Sequence, residues 1–208
     1  MNIGFFGGTF SPPHKGHLHS AKMFLKECEL DKLIIIPAKV SPFKTASQKT
    51  AEDFHRLNMT KLCFEGLCDE KFDFEVSDYE IAKDETSYTY LTVKHLLSQY
   101  PCCHLFMYVG CDMFLTLEKW KNYREIFKEC SIYTHSRNKN ELNLMNEQKN
   151  RYEKLYDARI IISQDKPLCV SSTEIRNLLS QNNTETLKNL LTDEVFRYIM
   201  ENRLYFGE

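Results

Sequence analysis

The sequence predicts an α/β fold: a doubly wound parallel sheet with helices on both faces and a small helical part at the C-terminus. Three observations carry this. The runs Leu33-Ile34-Ile35-Ile36, His104-Leu105-Phe106-Met107-Tyr108-Val109 and Arg159-Ile160-Ile161-Ile162 read as strands covered on both faces, as parallel sheets require. Between such runs, apolar residues return at helical spacing, as at Leu18, Ala21, Leu25 and Cys28. The chain also opens on a strand, Ile3-Gly4-Phe5-Phe6-Gly7-Gly8, that passes through a proline-braced loop into a helix start.

In chain order, the opening stretch is the richest. Gly7 and Gly8 lack a Cβ, so a sharp turn and a close ligand approach are expected there. Pro12 and Pro13 stiffen the loop beyond the glycines. His14 and His17 stand three apart at a helix start, where side chains share a face and unpaired amides favour an anion. A phosphate chain is the simplest ligand for that layout. Pro37 closes the second strand, and Lys44 in the loop beyond it reads equally as a phosphate contact or a solvated lysine. Residues 52–67 read as a helix with apolar positions at Phe54, Leu57, Leu62 and Phe64, and 72–76 alternate like a half-buried strand. Thr86 or Ser87 is expected to cap the next helix, whose stripe is Tyr90, Val93, Leu97 and Tyr100.

The strand 104–109 runs into Gly110-Cys111-Asp112. A carboxylate there suits a ribose hydroxyl or a metal, and equally a helix cap. Trp120 is either core or a ring to stack on a planar heterocycle. A short strand is expected at 131–135. Residues 137–150, rich in Asn, Lys, Glu and Gln, read as a mobile insertion. After the last strand, Ser171 with Glu174 forms a capping-box pattern, so a helix should begin there, presenting further hydroxyls and, one turn in, Arg176 to phosphate oxygens. The tail adds one amphipathic helix with Val195, Phe196, Ile199 and Met200 on one side.

The 208 residues fit a single domain, 1–165 forming the sheet core and 166–208 the helical part. A formal net charge of −2 argues against a general nucleic-acid binder or a membrane-surface protein. The eight cysteines include no CxxC pair, so reduced thiols in the cytoplasm are expected. His14, His17 and His19 have no neighbouring Asp or Cys to complete a zinc set.

The opening Gly-Gly-Thr-Phe-x-Pro-x-His-x-Gly-His and the late Ser-Ser-Thr-Glu-Ile-Arg together resemble the HxGH nucleotidyltransferase superfamily. Within it the chain is similar to the bacterial-type nicotinate-nucleotide adenylyltransferases. Ile36-Pro37 through Pro42-Phe43-Lys44, Arg56 with Met59, Thr86-Ser87-Tyr88-Thr89, and Val109-Gly110-Cys111-Asp112 with Leu117-Glu118-Lys119-Trp120 carry that closer likeness. The resemblance implies a Rossmann-like sheet and adenylyl transfer from ATP to nicotinate mononucleotide, releasing pyrophosphate. It implies that His14, His17, Lys44 and Arg176 act on the phosphates. Gly7, Gly8, Thr9, Phe10, Gly16, Gly110, Asp112, Ser172 and Thr173 would line ATP, and Thr86, Tyr88 and Trp120 the pyridine nucleotide. Mg²⁺ would bridge phosphate oxygens with few protein ligands. The implied partners are the two nucleotides, with neither nucleic acid nor membrane, and a homo-oligomer is admitted. Ser11 stands where the family usually has aspartate, and Phe43 where it often has histidine. Rival readings are a sister enzyme using nicotinamide mononucleotide or phosphopantetheine, a class I aminoacyl-tRNA synthetase fragment, and a nucleotide-binding regulator without catalysis.

Overall fold

The computed structural model describes residues 1–39, 50–67, 73–83, 86–136 and 138–206. Six strands, β1 (Asn2–Gly8), β2 (Lys32–Pro37), β3 (Asp73–Val76), β4 (His104–Tyr108), β5 (Cys130–His135) and β6 (Arg159–Ser163), form one sheet in the order β3-β2-β1-β4-β5-β6. Every neighbouring pair is parallel. The chain winds outward from β1 through β2 to β3, then returns to β4 on the other side of β1. The switch point between β1 and β4 is where such sheets leave a crevice at the strands' C-terminal ends.

Alternation along the strands divides the interior in two. Ile3 and Phe5 of β1 with Ile34 and Ile36 of β2 face one core. Covering that face are α3 (Thr89–Gln99), α4 (Cys111–Phe114), α5 (Tyr123–Glu129) and α6 (Lys139–Tyr156). Phe6, Leu33 and Ile35 face the other core, under α1 (Lys15–Glu27), α2 (Asp53–Phe64), α7 (Ser172–Ser180), α8 (Leu187–Leu190) and α9 (Asp193–Glu201). Each large aliphatic or aromatic side chain so buried contributes about 1.5–3 kcal/mol.

Several sequence expectations give way here. The turn after β1 is not at the glycines: Gly7 and Gly8 lie within the strand, paired with Ile36 and Pro37, and no described glycine has a positive φ. Phe10 carries the left-handed backbone instead, with φ of 48°. Gly8 is needed for another reason, since a Cβ there would come within 2.9 Å of the Phe10 ring folded back over it. In α2 the buried face is Arg56, Met59, Thr60, Cys63 and Phe64, while Phe54 is exposed. Neither Thr86 nor Ser87 caps α3: Tyr88 is its N-cap residue and makes no side-chain cap bond. The polar stretch 137–150 is no loose insertion over its described residues. From Lys139 it is the front of α6, an 18-residue helix whose N-cap Asn138 accepts the Glu141 N–H at 3.0 Å. Met145 and Tyr152 bury fully beneath it, so two well-spaced side chains anchor a helix whose average composition is polar. The tail holds the short α8 as well as α9. Val195 and Ile199 of α9 are buried, whereas Met200 is exposed.

Candidate active site

The site grows from the loop between β1 and α1. His14 is the extended N-cap residue of α1, and its Nδ1 accepts the His17 N–H at 3.3 Å. Reciprocally, His17 Nδ1 accepts the His14 N–H at 3.2 Å. This is a capping box built from two imidazoles, and it stacks their rings with centroids 3.6 Å apart. An Nδ1 that accepts places the proton of a neutral ring on Nε2. Burial pushes His14 down from 6.5 to about 4, so it is neutral at physiological pH and its Nε2–H remains a donor. Gly16 permits the close packing of this helix start, because a Cβ would stand 2.8 Å from the Leu168 carbonyl and 3.0 Å from His14 Nδ1.

The loop carbonyls are held one after another by distant groups. Gly8 C=O accepts from Ala38 N–H at 2.8 Å, and Thr9 C=O from Arg56 Nη1 at 2.8 Å. Ser11 C=O accepts from Arg176 Nη1 at 2.6 Å, and Pro12 C=O from Ser172 Oγ at 2.8 Å. The early histidine motif and the late serine–arginine motif are therefore in direct contact, although the Ser172–Pro12 pair is 160 residues apart. Ser171 is the N-cap residue of α7, but makes no side-chain cap bond, which corrects the expected capping box. The hydroxyl next to it, on Ser172, crosses to the loop instead. Arg176 also donates from Nη2 to Thr173 Oγ1 at 3.0 Å, so part of its fork secures the loop and its own helix. Phe10 is 2 % exposed and packs among Phe6, Phe64 and His17, leaving only its backbone to meet a ligand.

The sequence marks Arg56 without giving it a role, and the fold supplies one. It is 2 % exposed and reaches Thr9 C=O, Lys39 C=O at 3.3 Å and Asp53 at 2.5 Å. Asp53 also pairs with Lys39 Nζ at 2.9 Å, and these two cations hold its carboxyl below the usual range despite partial burial. The i, i+3 spacing of Asp53 and Arg56 is the signal that local sequence offers. Lys39 extends the web to the second half of the site: its N–H donates to Ser87 Oγ at 3.1 Å. Around that serine lies a shallow pocket lined by Tyr79, Glu80, Lys83, Thr86, Tyr88 and Thr92. Burial raises the Glu80 carboxyl, against bonds from Thr92 and Ser87 that favour its charge; the Thr92 bond is 2.5 Å long. Nothing in the local sequence singles out Glu80.

Gly110 and Asp112 stand where β4, the neighbour of β1, delivers its chain into α4. Gly110 is the N-cap residue and Asp112 lies in the first turn, so the aspartate is not the cap; the space where a Gly110 Cβ would sit is open for 4 Å. Trp120 is half-buried, packed against the core that also holds Leu117 and Val93. Lys44 lies outside the described residues, as does Phe43. Beneath α1, Tyr108 Oη and Ser20 Oγ both meet His135 Nε2, the latter at 3.3 Å, bracing the helix behind the histidine pair.

Comparison with known proteins gives four findings. The cytidylyltransferase-like family model matches residues 5–178. A Clostridium tetani protein named "Probable nicotinate-nucleotide adenylyltransferase" is 34% identical over 200 residues, spanning 96% of each chain. A Neisseria meningitidis protein of the same name is 34% identical over 206 residues, 98% of each chain. Among solved structures, the Plasmodium falciparum nicotinic acid mononucleotide adenylyltransferase complexed with NaAD matches with a TM-score of 0.75. It is 18% identical and covers 98% of this chain and 97% of its own, a likeness that shows the fold.

Proposed function

Because the chain belongs to the cytidylyltransferase-like family, and within it to the nicotinate-nucleotide adenylyltransferases, we infer that it transfers the adenylyl group of ATP to nicotinate mononucleotide. The products are the deamido dinucleotide and pyrophosphate, in NAD biosynthesis. One observation carries the reading at the level of residues: Ser172 and Arg176 bond the Pro12 and Ser11 carbonyls beside the histidine pair.

The mononucleotide's phosphate oxygen attacks the α-phosphorus of ATP in line, and the bond to the pyrophosphate oxygen breaks. The protein has positioning and charge neutralisation to supply. His14 and His17 donate from Nε2 to phosphate oxygens, aided by the amide end of α1. A neutral His14 does this without a change of protonation, because its proton stays on Nε2 throughout. Arg176 adds positive charge next to Thr173, and Lys44 is the second cation assigned to the triphosphate. Ser172 acts on the loop carbonyl. Gly110 and Asp112 line the adenosine side; Thr86, Tyr88 and Trp120 receive the pyridine nucleotide, with the indole on its ring.

The donor set described around the loop is imidazole and guanidinium, which suits phosphate oxygens rather than a hard cation. Mg²⁺ therefore fits as an ion carried by the ATP phosphates, where it neutralises their charge. Among the described residues no helix is long and apolar enough to cross a membrane. The proposed compartment is the cytoplasm, where thiols stay reduced, in keeping with eight cysteines that include no CxxC pair.

A pyrophosphate-release assay with ATP tests the function, comparing the acid and amide mononucleotides and phosphopantetheine. The acid is expected to give the highest kcat/KM. A preference for the amide or for phosphopantetheine would assign the chain to the sister activity. In the same assay His17→Ala is expected to lower turnover by at least about a hundredfold, the scale of one transition-state donor. Near-normal turnover would remove His17 from the chemistry.

A further inference from the structure

Ser11 is 1 % exposed, inside the loop between β1 and α1, and three remote segments meet on it. Its carbonyl takes Arg176 Nη1 at 2.6 Å. Its hydroxyl oxygen accepts the Ala51 N–H at 3.2 Å and lies 2.9 Å from the hydroxyl of Tyr205. Tyr205 is four residues past α9. It is half-buried against the core that holds Phe6 and Phe10, and it takes a φ of 68°. That left-handed backbone is costly for a bulky side chain and persists where surrounding contacts hold it. Leu204 N–H, bonded to Ile199 C=O at 3.0 Å, anchors the turn that delivers the ring.

We propose that Tyr205 is a positioning residue for the adenylyl transfer, through which the C-terminal tail holds the β1–α1 loop in its phosphate-receiving form. This rests on the reading of that loop as the ATP-phosphate site. The physical reason lies in the peptide planes. In a trans peptide the C=O and N–H point opposite ways. With Thr9 C=O tied back to Arg56, the Phe10 N–H is turned away from the protein's grip and towards the loop's other side. Ser11 is the next residue, so loosening its hydroxyl lets those planes rotate. Burial pushes the Tyr205 phenol up to about 12, so the group stays a hydroxyl at any pH the enzyme meets. Tail, α7 and the start of α2 thus act on one short loop, and Tyr205 is the tail's contribution.

The test compares Tyr205→Phe, Ser11→Ala, the double variant and Tyr198→Phe in the pyrophosphate assay. Tyr198 is the control: its hydroxyl meets His55 and Asn58 and no residue of the loop. Amide hydrogen exchange at Ala51, whose N–H is held by the Ser11 hydroxyl, is read on the same full-length proteins. Tyr205→Phe is expected to lower kcat about three- to tenfold, the scale of one lost hydrogen bond, with the mononucleotide KM unchanged. The double variant should be no slower than Ser11→Ala alone, because both remove the same contact. Exchange at Ala51 should quicken in Tyr205→Phe and not in Tyr198→Phe. Wild-type turnover in Tyr205→Phe, an equal loss in Tyr198→Phe, or losses that add in the double variant would overturn the proposal. Were the wild-type chain inactive with every acceptor, the function reading would fall, and Ala51 exchange would decide alone whether Tyr205 holds the loop.

Discussion

His14 shows how one side chain takes two duties from its surroundings. Its Nδ1 caps α1, and burial keeps the ring neutral with its donor on Nε2. The same burial has a stability consequence. The folded value of about 4 lies below the ordinary 6.5, so between these pH values the unfolded chain binds a proton that the folded chain does not. His14 therefore costs nothing above pH 6.5, and stability falls as pH drops towards 4. The linked loss is on the order of 3 kcal/mol. Denaturant unfolding at several pH values from about 7 to 4 should show a steeper decline for the wild type than for His14→Gln. Parallel declines would mean that His14 titrates normally.

At the level of elements, α6 and the turn before Trp120 form a unit. Glu118, in the 3₁₀ turn Leu117–Lys119, accepts from Arg151 Nη1 and Nη2, at 2.5 and 2.9 Å, and from the Tyr156 hydroxyl at 2.5 Å. The Tyr156 hydrogen bond and then the Arg151 guanidinium hold the Glu118 carboxyl below its ordinary range. Tyr152 donates to Phe114 C=O at 3.2 Å, one turn earlier. The helix thus grips the segment that presents the indole. Trp120→Ala is expected to raise the KM for the mononucleotide while the KM for ATP changes little. Arg151→Met should shift the same constant by a smaller amount, since a half-exposed ion pair is worth no more than about 1 kcal/mol. Two-substrate kinetics checks both, and equal losses for the two substrates would make Trp120 a packing residue.

For the whole molecule, the C-terminal helices are part of the core beneath them. Ile175, Leu179, Leu187, Leu191, Val195 and Ile199 share one cluster with β1, β2, α1 and α2, each at 0 % exposure. Lys15 Nζ on Lys188 C=O and His19 Nε2 on Lys166 C=O add polar ties to α1. Residues 166–208 should therefore unfold together with 1–165 in one transition, as a single domain. Ile199→Ala should cost about 2–5 kcal/mol, as for any fully buried aliphatic side chain. Calorimetry that resolves two transitions, or an Ile199→Ala protein of wild-type stability, would separate the helical part from the sheet.

The sequence by itself determined most of the elements and the kind of sheet. Unbroken apolar runs must be covered on both faces, and the regular return of apolar side chains sets each helix, so β1, β2, β4, β5, β6, α1 and α3 were legible within a residue or two. The two motifs were legible as helix starts as well, because a cap residue and a first turn are set by local spacing alone. Long-range pairing was not. Whether Ser171 caps α7, whether Arg56 faces water, and whether a polar stretch becomes α6 depend on what the fold brings opposite them. Tertiary structure alone decided which groups hold the loop carbonyls, which nitrogen of His14 carries the proton, and that Tyr205 reaches Ser11 across 194 residues of chain. The reason is that hydrogen bonding and desolvation are sums over spatial neighbours, and at this loop most of those neighbours are remote in sequence.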